Sequence, residues 1–139
     1  MTEKKKDISG RCYCGKVSYR AAVVPEVSEC HCSQCRKQSG HRYAIVETRA
    51  GQVTIEGQEC ITWFQSSAGA ERGYCATCGS TLFWRSLEDD EMAILAASID
   101  APTGLQITSH IFVEDKGDYY DITDKAPQFH GYDTPVPPA

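Results

Sequence analysis

The chain has 139 residues, a formal charge of −5 and eight cysteines. That length suits one domain that buries its own core, so a metal would add to a core rather than replace one. The acidic balance argues against a non-specific nucleic-acid binder, which needs a basic face, and no apolar run approaches the length that spans a bilayer.

Residues 1–8 read as a tail, with Lys4, Lys5 and Lys6 as a solvated basic run. No apolar segment follows these lysines, so no secretory leader is expected, and the protein is expected in a reducing, cytoplasmic compartment. One domain is expected at 9–131. A second tail is expected at 132–139, which ends in Thr-Pro-Val-Pro-Pro-Ala. Inside the domain, Lys16–Val24 alternates Val17, Tyr19 and Ala21 and predicts a strand. Tyr43–Thr48, Val53–Ile55, Ile61–Ser66, Leu82–Arg85, Met92–Ala97 and Leu105–Val113 read as further short strands, punctuated by Gly and Pro. The segment Cys32–Ser39 lacks Gly and Pro and fits one helical turn or two, too short to stand without an anchor. The pattern is that of an all-β, mainly β domain. Trp63, Phe64, Phe83 and Trp84 read as core.

Seven cysteines fall in three clusters: Cys12 and Cys14 as C-x-C, Cys30, Cys32 and Cys35 as C-x-C-x-x-C, and Cys75 and Cys78 as C-x-x-C. In a reducing compartment such thiols are metal ligands before they are disulfides. Zinc takes four soft donors as a tetrahedron, and Gly15 and Gly79 after the second cysteine of a pair let the chain turn around an ion. Two pairings are open. Cys12 and Cys14 can join Cys75 and Cys78, leaving Cys30, Cys32 and Cys35 as a three-thiol site. Alternatively, Cys32 and Cys35 join Cys75 and Cys78, which strands Cys12, Cys14 and Cys30. The first uses every clustered thiol and is preferred. A single zinc with idle thiols is the plainer alternative. Cys60 stands alone and reads as an ordinary buried cysteine.

The clusters, in this order, resemble the glutathione-dependent formaldehyde-activating family, which includes the centromere protein V group. The matching stretches are Gly10-Arg-Cys-Tyr-Cys-Gly15, Cys30-His-Cys-Ser-Gln-Cys-Arg-Lys-Gln-Ser-Gly40 and Gly73-Tyr-Cys-Ala-Thr-Cys-Gly-Ser80. His110-Ile-Phe-Val-Glu-Asp-Lys, Asp118-Tyr-Tyr-Asp and Pro127-Gln-Phe add to the likeness. The resemblance implies coiled β-sheets around a structural zinc, similar to methionine-R-sulfoxide reductases and Rab-accessory proteins. It implies that Cys12, Cys14, Cys75 and Cys78 hold that zinc and that Cys30, Cys32 and Cys35 hold a second, making two per chain. It also implies a carbon–sulfur lyase that forms or cleaves S-hydroxymethylglutathione from glutathione and formaldehyde, or acts on a related adduct.

An open three-thiolate site suits a small thiol substrate such as glutathione, because soft sulfur matches a soft site and coordination lowers the thiol pKa. It is also the site from which metal is more readily lost in isolation. His31 and His41 are candidate bases beside the cluster. Arg36 and Lys37 are candidate partners for a substrate carboxylate. The competing reading is a non-catalytic, zinc-stabilised binding module. A methionine-sulfoxide reductase-like thiol enzyme would have to use Cys60.

Overall fold

The computed structural model describes residues 4–137. Residues 1–3 and 138–139, the outer parts of both expected tails, lie outside the described residues. Along the chain the elements are β1 (Lys6–Arg11), β2 (Ser18–Val23), β3 (Val27–Cys30), α1 (Ser33–Ser39), β4 (Tyr43–Arg49), β5 (Val53–Glu56) and β6 (Ile61–Ser67). There follow β7 (Ala70–Cys75), β8 (Thr81–Ser86), β9 (Glu91–Leu95) and β10 (Ile107–Ile111). The protein is mainly β, as the sequence predicts. Among the described residues no helix is long and apolar enough to cross a membrane.

The chain divides into two compact units. One comprises the residues up to Pro25 with Val46–Leu105, and the other Glu26–Ile45 with the residues from Gln106 on. The sequence suggested a single stretch at 9–131 because it offers no linker at these boundaries. One of them falls inside β4, between Ile45 and Val46.

In the first unit β1, β2 and β5 form an antiparallel sheet, with Ile8 opposite Ala21 and Tyr19 opposite Ile55. Alternation along β2 buries Tyr19, Ala21 and Val23 on one face. β1 begins at Lys6, so the tail expected over 1–8 is shorter than the sequence suggested. The second sheet of this unit runs β9–β8–β7–β6, antiparallel throughout. Leu82, Phe83 and Ile94 are fully buried in it. Complete burial of such side chains contributes about 1.5–3 kcal/mol each. Tyr19 meets Phe83 edge-on at 5.3 Å, and Trp63 stacks on Phe83 at 6.1 Å. Phe64 departs from the expected core: it is half-exposed, because β6 is the edge strand of its sheet.

In the second unit β10 pairs with β3 in parallel, which sets His110 beside Glu29 and Ile111 beside Cys30. The segment around Gln128 flanks β10 on its other side: the His110 amide donates to the Pro127 carbonyl at 2.9 Å and the Phe129 amide to the His110 carbonyl at 2.8 Å. Part of the expected 132–139 tail is tied back here, with the His130 amide on the Thr134 carbonyl and the Val136 amide on the Gln128 carbonyl, both at 2.8 Å.

Candidate metal centres

The first unit carries two turns of one shape. Between β1 and β2 the Cys12 amide donates to Val17 at 3.0 Å and the Gly15 amide to Cys12 at 3.2 Å. Between β7 and β8 the Cys75 amide donates to Ser80 at 3.0 Å and the Gly79 amide to Cys75 at 2.8 Å. Gly15 and Gly79 adopt φ of 83° and 79°, a left-handed conformation that costs glycine nothing. The Tyr13 amide donates to the Ser80 hydroxyl at 2.9 Å, which joins the two turns.

The sulfurs of Cys12, Cys14, Cys75 and Cys78 all lie within 4.8 Å of one another. Cys12 and Cys14 are separated by 3.6 Å and Cys14 and Cys75 by 3.7 Å. A tetrahedral zinc with bonds of about 2.3 Å places its sulfurs about 3.8 Å apart, so the donor set and its spacing fit that ion. No disulfide is present among these cysteines. The surroundings favour the thiolate at Cys78 and Cys12, whereas at Cys14 the Lys16 amide is outweighed by burial and the neighbouring thiols, which leave it raised to about 11. The Ser80 hydroxyl and then the Ser80 amide draw the Cys78 thiol down to about 5. Burial opposes ionisation of Cys12, yet the Val17 amide and the Cys14 and Cys75 thiols leave its pKa lowered. Thiolate is the form that binds metal.

The second unit builds its cluster from six consecutive residues. β3 ends at Cys30, and Cys32 caps α1: its backbone is extended and its sulfur accepts the Cys35 amide at 3.3 Å. At the other end Gly40, at φ 90°, returns its amide to the Arg36 carbonyl at 2.8 Å. The seven-residue helix Ser33–Ser39, within the Cys32–Ser39 segment expected to form one helical turn or two, is thus held at both ends. The sulfurs of Cys30, Cys32 and Cys35 lie within 4.8 Å of one another, and among the described residues no fourth His, Cys, Asp or Glu joins them. Cys30 and Cys35 are buried and Cys32 half-buried. Hydrogen bonds from Cys30 and then Cys35, with the Cys35 and Gln34 amides behind them, hold Cys32 down to about 2. The same contacts and burial push Cys30 upward. Of the two pairings open in the sequence, the structure brings together the sulfurs of the preferred one. Cys60 is half-buried and belongs to neither cluster.

The two candidate histidines differ. His31 is fully buried. Alternation past Cys30 sends its ring to the face that carries Glu29, away from the Cys30 side chain. Its Nδ1 meets the Tyr120 hydroxyl at 2.7 Å and its Nε2 meets Nδ1 of His110 at 2.9 Å. Burial first, then the electrostatic influence of His110, Arg42 and Lys116, pulls its pKa down to about 4. Both ring nitrogens of His31 are thus hydrogen-bonded inside the unit and the ring is not exposed, unlike the open base that the sequence suggested. His41 is exposed, with Nδ1 on the Tyr119 hydroxyl at 2.8 Å.

Arg36 points its Nε at the backbone carbonyls of Asp115, at 3.1 Å, and His31, at 3.4 Å. It fastens the cysteine loop. Lys37 is exposed. Glu29, Arg42 and Asp124 were not singled out in the sequence, and Tyr120 only as part of the Asp118-Tyr-Tyr-Asp stretch. Glu29 is buried and paired with Arg42 at 2.5 Å, and Asp124 receives Nε2 of His110 at 2.9 Å. Glu29, His31 and His110 also form a group that could hold a metal ion. The alternation in Glu29-Cys-His-Cys32 was the signal that could have separated His31 from the thiols.

Fold and site together define a mainly β protein with clustered thiols that could bind metal. The family model described as glutathione-dependent formaldehyde-activating enzyme matches residues 7–115, well over half the chain. The chain belongs to that family. A Schizosaccharomyces pombe protein named as an uncharacterized lyase is 24% identical over 125 residues, covering 88% of this chain and 90% of its own. The crystal structure of a Rhodobacter sphaeroides protein superposes with a TM-score of 0.59 at 23% identity, over 68% of this chain and 89% of that one. That likeness speaks to the fold.

Proposed function

We propose that the protein is a zinc-dependent carbon–sulfur lyase that forms or cleaves S-hydroxymethylglutathione from glutathione and formaldehyde, or handles a related thiol–aldehyde adduct. The observation that carries this reading is the convergence of Cys30, Cys32 and Cys35 as a set of three, one donor short of a closed tetrahedral shell. Family membership and the lyase name of the yeast relative support the reaction class.

On this reading Cys12, Cys14, Cys75 and Cys78 hold a structural zinc, and Cys30, Cys32 and Cys35 hold the second. Zinc, when bound, lowers the pKa of a coordinated thiol and favours its thiolate. In the forward direction the substrate sulfur bonds to the aldehyde carbon, the carbonyl π bond opens, and the proton released from sulfur ends on the new hydroxyl oxygen. The reverse direction breaks the same carbon–sulfur bond. His41, exposed and oriented by Tyr119, is the chain's proton carrier in place of His31. Lys37 offers a free cation to a substrate carboxylate, whereas Arg36 holds the loop that presents the thiols.

Zinc analysis of protein purified without added metal, followed by exchange NMR of glutathione and formaldehyde, tests the proposal. About two equivalents of zinc and accelerated exchange are expected. One equivalent with three freely alkylated thiols at Cys30, Cys32 and Cys35 would remove the catalytic site. Two equivalents without acceleration would favour a zinc-stabilised binding module.

A further inference from the structure

Behind the three-thiol loop the second unit contains a line of side chains that the proposed reaction does not use. Tyr120, His31, His110 and Asp124 follow one another at 2.7, 2.9 and 2.9 Å, and both imidazoles are fully buried. One arrangement of the protons satisfies the whole line with both rings neutral. The Asp124 carboxylate accepts from Nε2 of His110 through both oxygens, at 2.9 and 3.0 Å. A neutral His110 therefore has a bare Nδ1, which must accept from Nε2–H of His31. That leaves Nδ1 of His31 to accept from the Tyr120 hydroxyl. Every donor finds an acceptor with both rings neutral, and the chain of hydrogen bonds runs in one direction from hydroxyl to carboxylate.

Glu29 lies 3.5 Å from both facing nitrogens but spends its Oε1 on the Arg42 guanidinium, at 2.5 and 2.6 Å. A cation between the histidines would have to displace their mutual hydrogen bond and share that oxygen with a guanidinium. The rings are therefore better explained as linked to each other than as metal ligands.

His31 sits between Cys30 and Cys32 in the chain. Fixing its ring fixes the backbone from which both sulfurs project. Its own amide donates to the Ile111 carbonyl at 3.0 Å, and its carbonyl is one of the groups that Arg36 grips. Tyr120 stacks on the ring at 5.6 Å between centroids and is itself flanked by Arg42 and Lys116. We infer that Tyr120, His110 and Asp124 are positioning residues for the three-thiol site: a one-way hydrogen-bond chain through His31 holds Cys30 and Cys32 in the geometry that receives the ion. The inference rests on the reading of Cys30, Cys32 and Cys35 as a metal site.

Long-range proton–nitrogen correlation of the histidine rings tests the arrangement on the zinc-loaded, full-length protein, which has four histidines. Both His31 and His110 are expected as Nε2–H tautomers. Cobalt(II) titration of the wild type, Tyr120→Phe and Asp124→Asn, read by thiolate charge-transfer absorption, tests the function of the chain. Tyr120→Phe should weaken cobalt binding at Cys30, Cys32 and Cys35 about tenfold. The four-thiol site should be unchanged, serving as the control for folding. Asp124→Asn keeps an acceptor and should stay near the wild type. An Nδ1–H tautomer for His31, a third cobalt equivalent on the histidines, or unchanged affinity in Tyr120→Phe would overturn the inference. A wild type that binds no cobalt at the three-thiol site would remove the proposed function and this inference with it. Normal binding that is indifferent to Tyr120 would remove the positioning role alone.

Discussion

The two thiol clusters are built on opposite plans. In the first unit, four sulfurs come from two hairpin turns far apart in the chain, and each turn supplies its own glycine and its own ring of amides. In the second unit, three sulfurs come from one strand–helix corner, and the support comes from distant side chains rather than from a second turn. A cluster that joins remote segments carries folding energy, whereas a local cluster one donor short contributes little to cohesion and leaves room for a ligand.

Single replacements should expose that contrast. Cys75→Ser, at a fully buried knot position, should cost on the order of 4 kcal/mol or more and be visible in urea unfolding of the zinc-loaded protein. Cys32→Ala should leave unfolding within about 1 kcal/mol of the wild type, the scale of one lost helix cap, while abolishing glutathione–formaldehyde exchange. Stability losses of equal size in the two variants would erase the distinction.

Between these extremes lies the Glu29–Arg42 pair. Arg42→Met leaves a buried carboxylate without its partner and should cost about 3 kcal/mol in the same assay. Lys37→Glu should act only on encounter with an anionic thiol, raising its KM about threefold with kcat unchanged, and less so at high salt. The smallest effect is at Asp124, whose carboxyl is held below the usual range by its bond to His110. Its contribution to stability is present above the ordinary value of about 3.9 and fades as pH falls through the lower folded midpoint. Carbon NMR of that carboxyl should show a midpoint below the ordinary one.

The cysteine groupings and the strands with clear alternation, β2 above all, were legible because each depends on local spacing. β1, β3 and β7 were not. Lys6–Arg11 offers one large apolar residue, Val27–Cys30 is four residues long, and Ala70–Cys75 buries Arg72 where an apolar residue would have advertised a strand. Their status is decided by neighbours remote in sequence. The same holds for the support of the second cluster. Tyr120 and Asp124 lie in irregular backbone, and nothing local marks them as partners of His31 and His110. His31 read as a base because it neighbours two cysteines, and the alternation of an extended chain turned it the other way.

The 61-residue separation between Cys14 and Cys75 also sets an order of events. A growing polypeptide completes its Cys30–Cys35 loop while the partners of Cys12 and Cys14 are still unsynthesised, so on the proposed two-zinc reading the three-thiol set is the first to be complete. The four-thiol set is complete only when the two hairpins have met.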